Sequence, residues 1–169
     1  MKTLSFLLVF SWILCSFASA QGPNLTLTSP VFKDNQNIPS EYTCVGSDIN
    51  PPLSIKHVPT YTKSLILMLH DPDAAAGDWT HWMVYNIKPQ TKSIAKNSIP
   101  GYELINDFNK FHYGGPCPSD EKPHHYVFEL FAIDTIYTPN ENGSVQGLLQ
   151  KIQGHILDKT RLTGIYKSP

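Results

Sequence analysis

The 169-residue chain carries 13 Lys and Arg against 14 Asp and Glu, and 41% of its residues are hydrophobic. A net charge of −1 offers no basic field to a nucleic acid, and the hydrophobic share is that of a packed chain, not a disordered one. The length suits one domain with a sizeable core and falls short of two ordinary ones.

The chain opens with export chemistry. Lys2 precedes an apolar run from Leu4 to Phe17, and Ala18-Ser19-Ala20 supplies small residues before Gln21. The pattern predicts a signal peptide over 1–20, cleaved after Ala20, with a single domain over 21–169. The apolar run is too short and wrongly flanked for stable membrane insertion. Leu14 is bulky where a lipoprotein signal needs a small residue before its cysteine, which argues against lipid attachment at Cys15. Removing the leader takes Lys2 and Cys15 with it, so the net charge moves from −1 to −2 and two cysteines remain, Cys44 and Cys117. An even count in an exported chain argues for one disulfide; the alternative is a pair of buried thiols. No Cys-x-x-Cys supports redox chemistry. Asn24-Leu25-Thr26 and Asn142-Gly143-Ser144 are glycosylation acceptors only in a cell with that machinery.

Leu25 and Leu27 alternate with Thr26 and Thr28, as in a strand with one wet face. Pro30, Asp34-Asn35, Pro39, Gly46 and Pro51-Pro52 punctuate the next stretch of chain and leave no room for a long helix. Leu65 to Leu69 is an apolar run that breaks into His70-Asp71-Pro72-Asp73. After Ala74 to Gly77 it resumes as Trp79, His81, Trp82, Met83, Val84 and Tyr85. Two buried strands joined by a polar loop explain this pattern. Residues 88 to 125 are loop-rich; a stretch of that length serves a site or hides short strands. Tyr126 to Ile133 is a further strand, apolar almost throughout, with Glu129 the exception. Val145, Leu148, Leu149, Ile152 and Ile156 recur at helical spacing behind Ser144, a suitable N-cap. Arg161 to Tyr166 returns as a strand. The fold class is mainly β, with one or two short peripheral helices.

Two runs carry a family resemblance. The first is Asp71-Pro72-Asp73-Ala74, then Gly77, Thr80, His81 and Trp82; the second is Tyr113-Gly114-Gly115-Pro116-Cys117-Pro118, then His124-His125-Tyr126. Between them stands Asn106-Asp107-Phe108. With these runs the chain resembles the phosphatidylethanolamine-binding protein family, in its bacterial Raf-kinase-inhibitor-like branch. The resemblance implies a β-sandwich with a Greek-key core. It also implies a small cavity lined by Asp71, His81 and His124 that takes anions and phosphoryl head groups. Eukaryotic members continue into a C-terminal helix beside the cavity, and this chain is too short for it. His125 stands where the family usually has Arg, which puts in doubt any salt bridge that Arg would make.

The chemistry is sensible on its own terms. Imidazoles donate N–H and gain charge beside a phosphate, and a carboxylate such as Asp71 can fix the tautomer. Gly114 and Gly115 would let the backbone approach a ligand, with bare N–H groups cradling an oxyanion. Pro116 stiffens the wall, and Tyr113 and Tyr126 offer phenolic donors. Asp73 is read as a turn residue that accepts backbone N–H bonds in its own loop. The leading expectation is an exported, non-enzymatic binding protein for a small phosphorylated or anionic ligand, with no cofactor and no nucleic acid. Regulation or inhibition of a protein partner would be compatible with that role. One alternative is a metal-dependent or other hydrolase built on Asp71, His81 and His124; another is an interaction domain without a small ligand. No Gly-x-Ser-x-Gly supports a serine nucleophile. The resemblance favours the periplasm, with secretion second.

Overall fold

Residues 24–139 and 143–169 are described by the computed structural model. The expected leader, with Lys2 and Cys15, lies outside them, as does Asn142. The strands are β1 (Thr26–Thr28), β2 (Gln36–Asn37), β3 (Leu53–Lys56), β4 (Ser64–Asp71), β5 (Trp79–Ile87), β6 (Ser93–Ile94), β7 (Tyr102–Glu103), β8 (His124–Ile133) and β9 (Ile156–Tyr166). Among the described residues, one helix, α1 (Val145–Ile152), and a 3-10 turn at Ser40–Tyr42 complete the regular structure. Six strands pair in the order β2-β9-β8-β4-β5-β7 and three in the order β1-β3-β6, forming an open sandwich with no closed barrel.

The layers follow from which strands lack a polar face. A strand that is apolar on both sides needs cover on both, and β4 and β5 have it. Leu65, Leu67, Leu69, Trp82 and Val84 pack inward against Leu27, Leu53, Ile55 and Ile94 of the small sheet. Ile66, Met68, Met83 and Tyr85 face the other way, beneath Leu148 and Ile152 of α1. Each fully buried side chain of this kind contributes about 1.5–3 kcal/mol, so the central strands are the most firmly held part of the chain. The helix begins as expected, with Ser144 Oγ accepting the Gly147 N–H at 3.0 Å. It stops at Ile152, and Ile156, expected on its apolar stripe, opens β9 instead.

Three strands differ in extent from the sequence pattern. β4 does not stop at Leu69 but runs on through His70 to Asp71, and β8 starts at His124, two residues before its apolar run. β9 starts at Ile156, well before Arg161. Polar residues at these strand ends follow the backbone of their neighbours, which hydropathy alone does not register. The loop-rich middle does contain short strands, β6 and β7, two residues each.

Cys44 and Cys117 are bonded across 73 positions, with Cα atoms 5.5 Å apart. The Cys44 N–H also donates to the Pro116 carbonyl at 3.2 Å. Together they tie the 43–48 loop to the Gly-Pro segment that follows Tyr113. Thiol titration of the denatured, unreduced protein should find almost none, and two free thiols per chain would contradict the bond. Reduction should lower stability by about 2–4 kcal/mol, the range for bonds closing long loops, measured by urea unfolding with and without reductant.

Candidate functional site

β4 pairs antiparallel with β5 on one side and β8 on the other. The end of β4 therefore meets the starts of both neighbours, which brings Asp71, His81 and His124 to one rim of the sandwich. Tyr126 stands one pleat in from His124. Leu69, Tyr126 and Trp82 belong to the inner core, so the polar cluster sits directly above it. His81 owes its place to an irregularity. Leu69 pairs with Trp82 and His70 with Thr80, so His81 is the extra residue of a β-bulge. A bulge re-aims the side chain it carries and often marks a functional site.

The segment beyond β7 fixes that bulge. Asp107 Oδ2 accepts the Thr80 N–H at 2.6 Å, and Asp107 N–H returns a bond to the Thr80 carbonyl at 3.1 Å. The Asn106 amide donates to the carbonyls of His81 and His112, while its oxygen accepts from Phe108 and Lys110 N–H. Phe108 is thereby held edge-on to the His81 ring, with centroids 5.0 Å apart. Tyr126 stands edge-on to the same imidazole at 5.3 Å.

Asp71, His81 and His124 are 3%, 3% and 5% exposed. His124 Nδ1 faces Asp71 Oδ2 at 2.7 Å, and Nε2 faces Asp120 Oδ1 at 3.0 Å. Carboxylates only accept, so both ring nitrogens donate and the ring is an imidazolium. Burial by itself would lower the His124 pKa, but hydrogen bonds and charge from Asp71, then Asp120, outweigh it and raise the pKa. His81 behaves in the opposite way. Its Nδ1 donates to the Gly114 carbonyl at 2.7 Å, and burial lowers its pKa against weaker support from that carbonyl, Asp71 and Gly115. His81 is thus neutral near pH 7, with its proton on Nδ1.

The Tyr126 hydroxyl is buried and, like that of Tyr166, finds no hydrogen-bond partner among the described residues. Burial raises the Tyr126 pKa far above that of an ordinary phenol. The nearby Asp71 carboxylate raises it further and the Cys117 backbone N–H opposes it, neither of them at bonding geometry to the hydroxyl. Tyr166, read in the sequence as the end of a strand, lies opposite His124 in the β8–β9 register. Asp120 stands in no motif, and only its contact with His124 brings it in.

Several expected roles change. Gly114 and Gly115 N–H groups are not bare, since they donate to the His81 carbonyl and to Asp48 Oδ1. Their missing Cβ atoms make room for the chain itself. A Cβ on Gly114 would lie 2.8 Å from the Phe108 ring, and one on Gly115 would lie 2.8 Å from Thr43 Cα. Pro116 is buried in the same wall. The Tyr113 hydroxyl donates to the Tyr42 carbonyl at 2.8 Å, so it is not a free donor. Asp73 does not bond within its own turn; its Oδ2 reaches across to the backbone N–H and Nδ1 of His125, at 2.9 and 2.7 Å. The turn bond comes instead from Asp71 Oδ1, which accepts the Asp73 N–H. His125 therefore keeps an acid partner where the usual Arg is missing. With both Asp71 oxygens engaged, the Asp/His set does not present a ligand shell, and no described group of three or more His, Cys, Asp or Glu could hold a metal ion.

Residues 28–167 match the family model described as phosphatidylethanolamine-binding protein. A UPF0098 protein of Methanothermobacter thermautotrophicus is 38% identical over 153 residues, covering 85% of this chain and 99% of its own length. A second UPF0098 protein, from Chlamydia muridarum, is 38% identical over 149 residues, with 85% and 99% covered. Among solved structures, a phosphatidylethanolamine-binding protein homologue from Chlamydia trachomatis superposes with a TM-score of 0.83 at 35% identity, covering 86% of this chain and 99% of that one. Escherichia coli YbcL gives 0.80 at 26% identity, with 87% and 100% covered.

The two site histidines should pull stability in opposite directions with pH. The raised His124 pKa contributes stability that is present below the unfolded value, about 6.5, and lost as pH rises through the folded value. The lowered His81 pKa has the reverse sign: stability falls as pH drops from about 6.5 through the folded value, because only the unfolded chain gains the proton there. Urea unfolding of His124→Asn and His81→Asn proteins from about pH 5 to about pH 8 reads both slopes. His124→Asn should lose the acid-side gain and His81→Asn the acid-side fall. Slopes unchanged from wild type in both variants would contradict the assigned protonation states.

Proposed function

Since this chain belongs to the phosphatidylethanolamine-binding protein family, whose members are typically non-enzymatic, we propose that it binds a small anionic or phosphorylated ligand where Asp71, His81, His124 and Tyr126 converge. The observation that carries this reading is the buried, unpartnered hydroxyl of Tyr126 beside the two imidazoles. Leaving a buried donor unsatisfied costs about 1–3 kcal/mol, and buried polar groups are otherwise nearly always paired. A cluster kept only for structure would close such a bond on itself.

The ligand's oxygens are met by Tyr126 Oη, by His124, and by His81 Nε2 once an approaching anion draws a proton onto it. Asp71 orients and charges His124. Gly114, Gly115 and Pro116 form the wall behind His81, fixed by the Cys44–Cys117 bond. Imidazolium is the cation these groups supply, so binding should strengthen as pH falls. Among the described residues no helix is long and apolar enough to cross a membrane. The Lys2-to-Ala20 pattern supports export to the periplasm or beyond, and N-terminal sequencing of the exported protein should begin at Gln21. A mature chain that retained Met1 would contradict that.

Sulfate keeps a constant charge where phosphate titrates, so it isolates the protein's contribution. Calorimetric titration should show tighter sulfate binding at about pH 5.5 than at about pH 8, on either side of the ordinary histidine midpoint. His81→Ala and His124→Ala should each weaken it by about 1–3 kcal/mol, the scale of one charged hydrogen bond. Equal affinity at both pH values, or wild-type binding by both variants, would overturn the site assignment.

A further inference from the structure

The two carboxylates on His124 are not equivalent. Asp71 is buried, ends β4, and uses its second oxygen on the Asp73 N–H, so it cannot leave without loosening the strand end. Asp120 belongs to the surface turn before β8, with its side chain 39% exposed. Its other contacts are both to Lys122: the backbone N–H at 3.1 Å, and Nζ at 3.6 Å. Rotation about its side-chain bonds carries Asp120 into water and leaves the sheet untouched, giving up its hydrogen bonds to His124 and the Lys122 N–H. It nevertheless holds His124 Nε2, the one nitrogen of that ring that Asp71 does not engage.

We propose that Asp120 is a built-in competitor for the anion site: its carboxylate occupies the position on His124 Nε2 that an anionic oxygen of the ligand takes, and binding requires it to swing out. The inference rests on the anion-site reading above. Asp120 partners a buried imidazolium that would otherwise face the rim with one donor unmet. On binding, the ligand replaces that contact, and Lys122, already beside Asp120, remains as its partner at the surface. Affinity for an anion is therefore set by a difference between two contacts of the same kind. The ligand must offer more than one carboxylate's worth of interaction, which a phosphoryl group does through oxygens that also reach Tyr126 and His81.

The test compares sulfate binding by wild type, Asp120→Asn and Glu121→Gln. Asn keeps the size of Asp120 and an oxygen for the Lys122 N–H, so the turn is retained, and a thermal melt of each variant checks folding. Glu121→Gln removes the same charge from the neighbouring turn residue without touching His124. Titrations at about pH 6, below the ordinary histidine midpoint, compare the three proteins with Asp71 still on His124 Nδ1. Asp120→Asn should bind sulfate on the order of tenfold more tightly, as expected when the ligand displaces a neutral amide oxygen instead of a carboxylate, with Glu121→Gln close to wild type. If Asp120→Asn binds no more tightly than wild type while both bind, the competitor is overturned and the anion site stands. If both variants tighten alike, the effect is general charge and the competitor is overturned. If none of the three binds, the anion site itself is overturned and the competitor with it.

Discussion

A buried hydrogen-bonded ion pair, Asp71 with His124, sets the terms for the rest of the site. It joins the end of β4 to the start of β8, and both partners are nearly inaccessible to water. A charge placed there alone would be expensive, since breaking one side of a buried pair leaves the other uncompensated. The surroundings therefore satisfy the pair at every remaining position: Asp73 N–H on the far carboxylate oxygen, Asp120 on the far ring nitrogen. What they leave unsatisfied is neutral, the hydroxyls of Tyr126 and Tyr166. The contrast gives the site its character. The bonding positions of its charged groups are already taken, and its unmet bonding capacity lies in neutral donors next to them.

Rigidity comes from loops that lock onto one another more than from strands. The disulfide, the Cys44–Pro116 backbone bond, the Gly115–Asp48 bond and the Tyr113–Tyr42 bond all join the 42–48 segment to the 113–117 wall. On the opposite side of His81, the fully bonded Asn106 amide holds Phe108 in place. Gly114 lies between these two supports, with the Phe108 ring filling the space that any side chain would need. His81 is thus fixed by its backbone bulge, by a carbonyl on its Nδ1 and by aromatic edges on two sides. A ring so held turns only Nε2 toward the site, where a proton drawn on by an anion makes it a donor.

The layers are legible in the sequence because β4 and β5 are apolar on both faces and nothing but a covered central strand explains that. The helix start is legible in Ser144, and the disulfide in the even cysteine count left once the expected leader is set aside. Asp71 and His81 sit where an apolar run breaks, but it is the two runs that resemble the family that single them out together with His124. The β6 and β7 strands cannot be singled out, because two residues carry no period. Asp120, and the place of Tyr166 beside the site, are hidden for a different reason: each enters only through pairing to His124, one across a turn and one across a ladder. The glycines show how motif and mechanism separate. Gly114 and Gly115 do need a bare Cα, as expected, yet the atoms that fill the space belong to Phe108, Thr43 and Asp48, and their N–H groups have partners within the chain.

The central claim is that a ligand completes the hydrogen bonds this cluster leaves open. A crystal structure grown with phosphate or an O-phosphorylated small molecule addresses it most directly. The account predicts a phosphoryl group within hydrogen-bond distance of Tyr126 Oη and His81 Nε2, with Asp71 still on His124 Nδ1 and Asp120 turned toward solvent. A ligand seated instead in the cavity of about 600 Å³ beside α1, lined by Tyr85, Leu104, Tyr137 and Leu148, with the Asp/His/Tyr cluster unchanged, would contradict it.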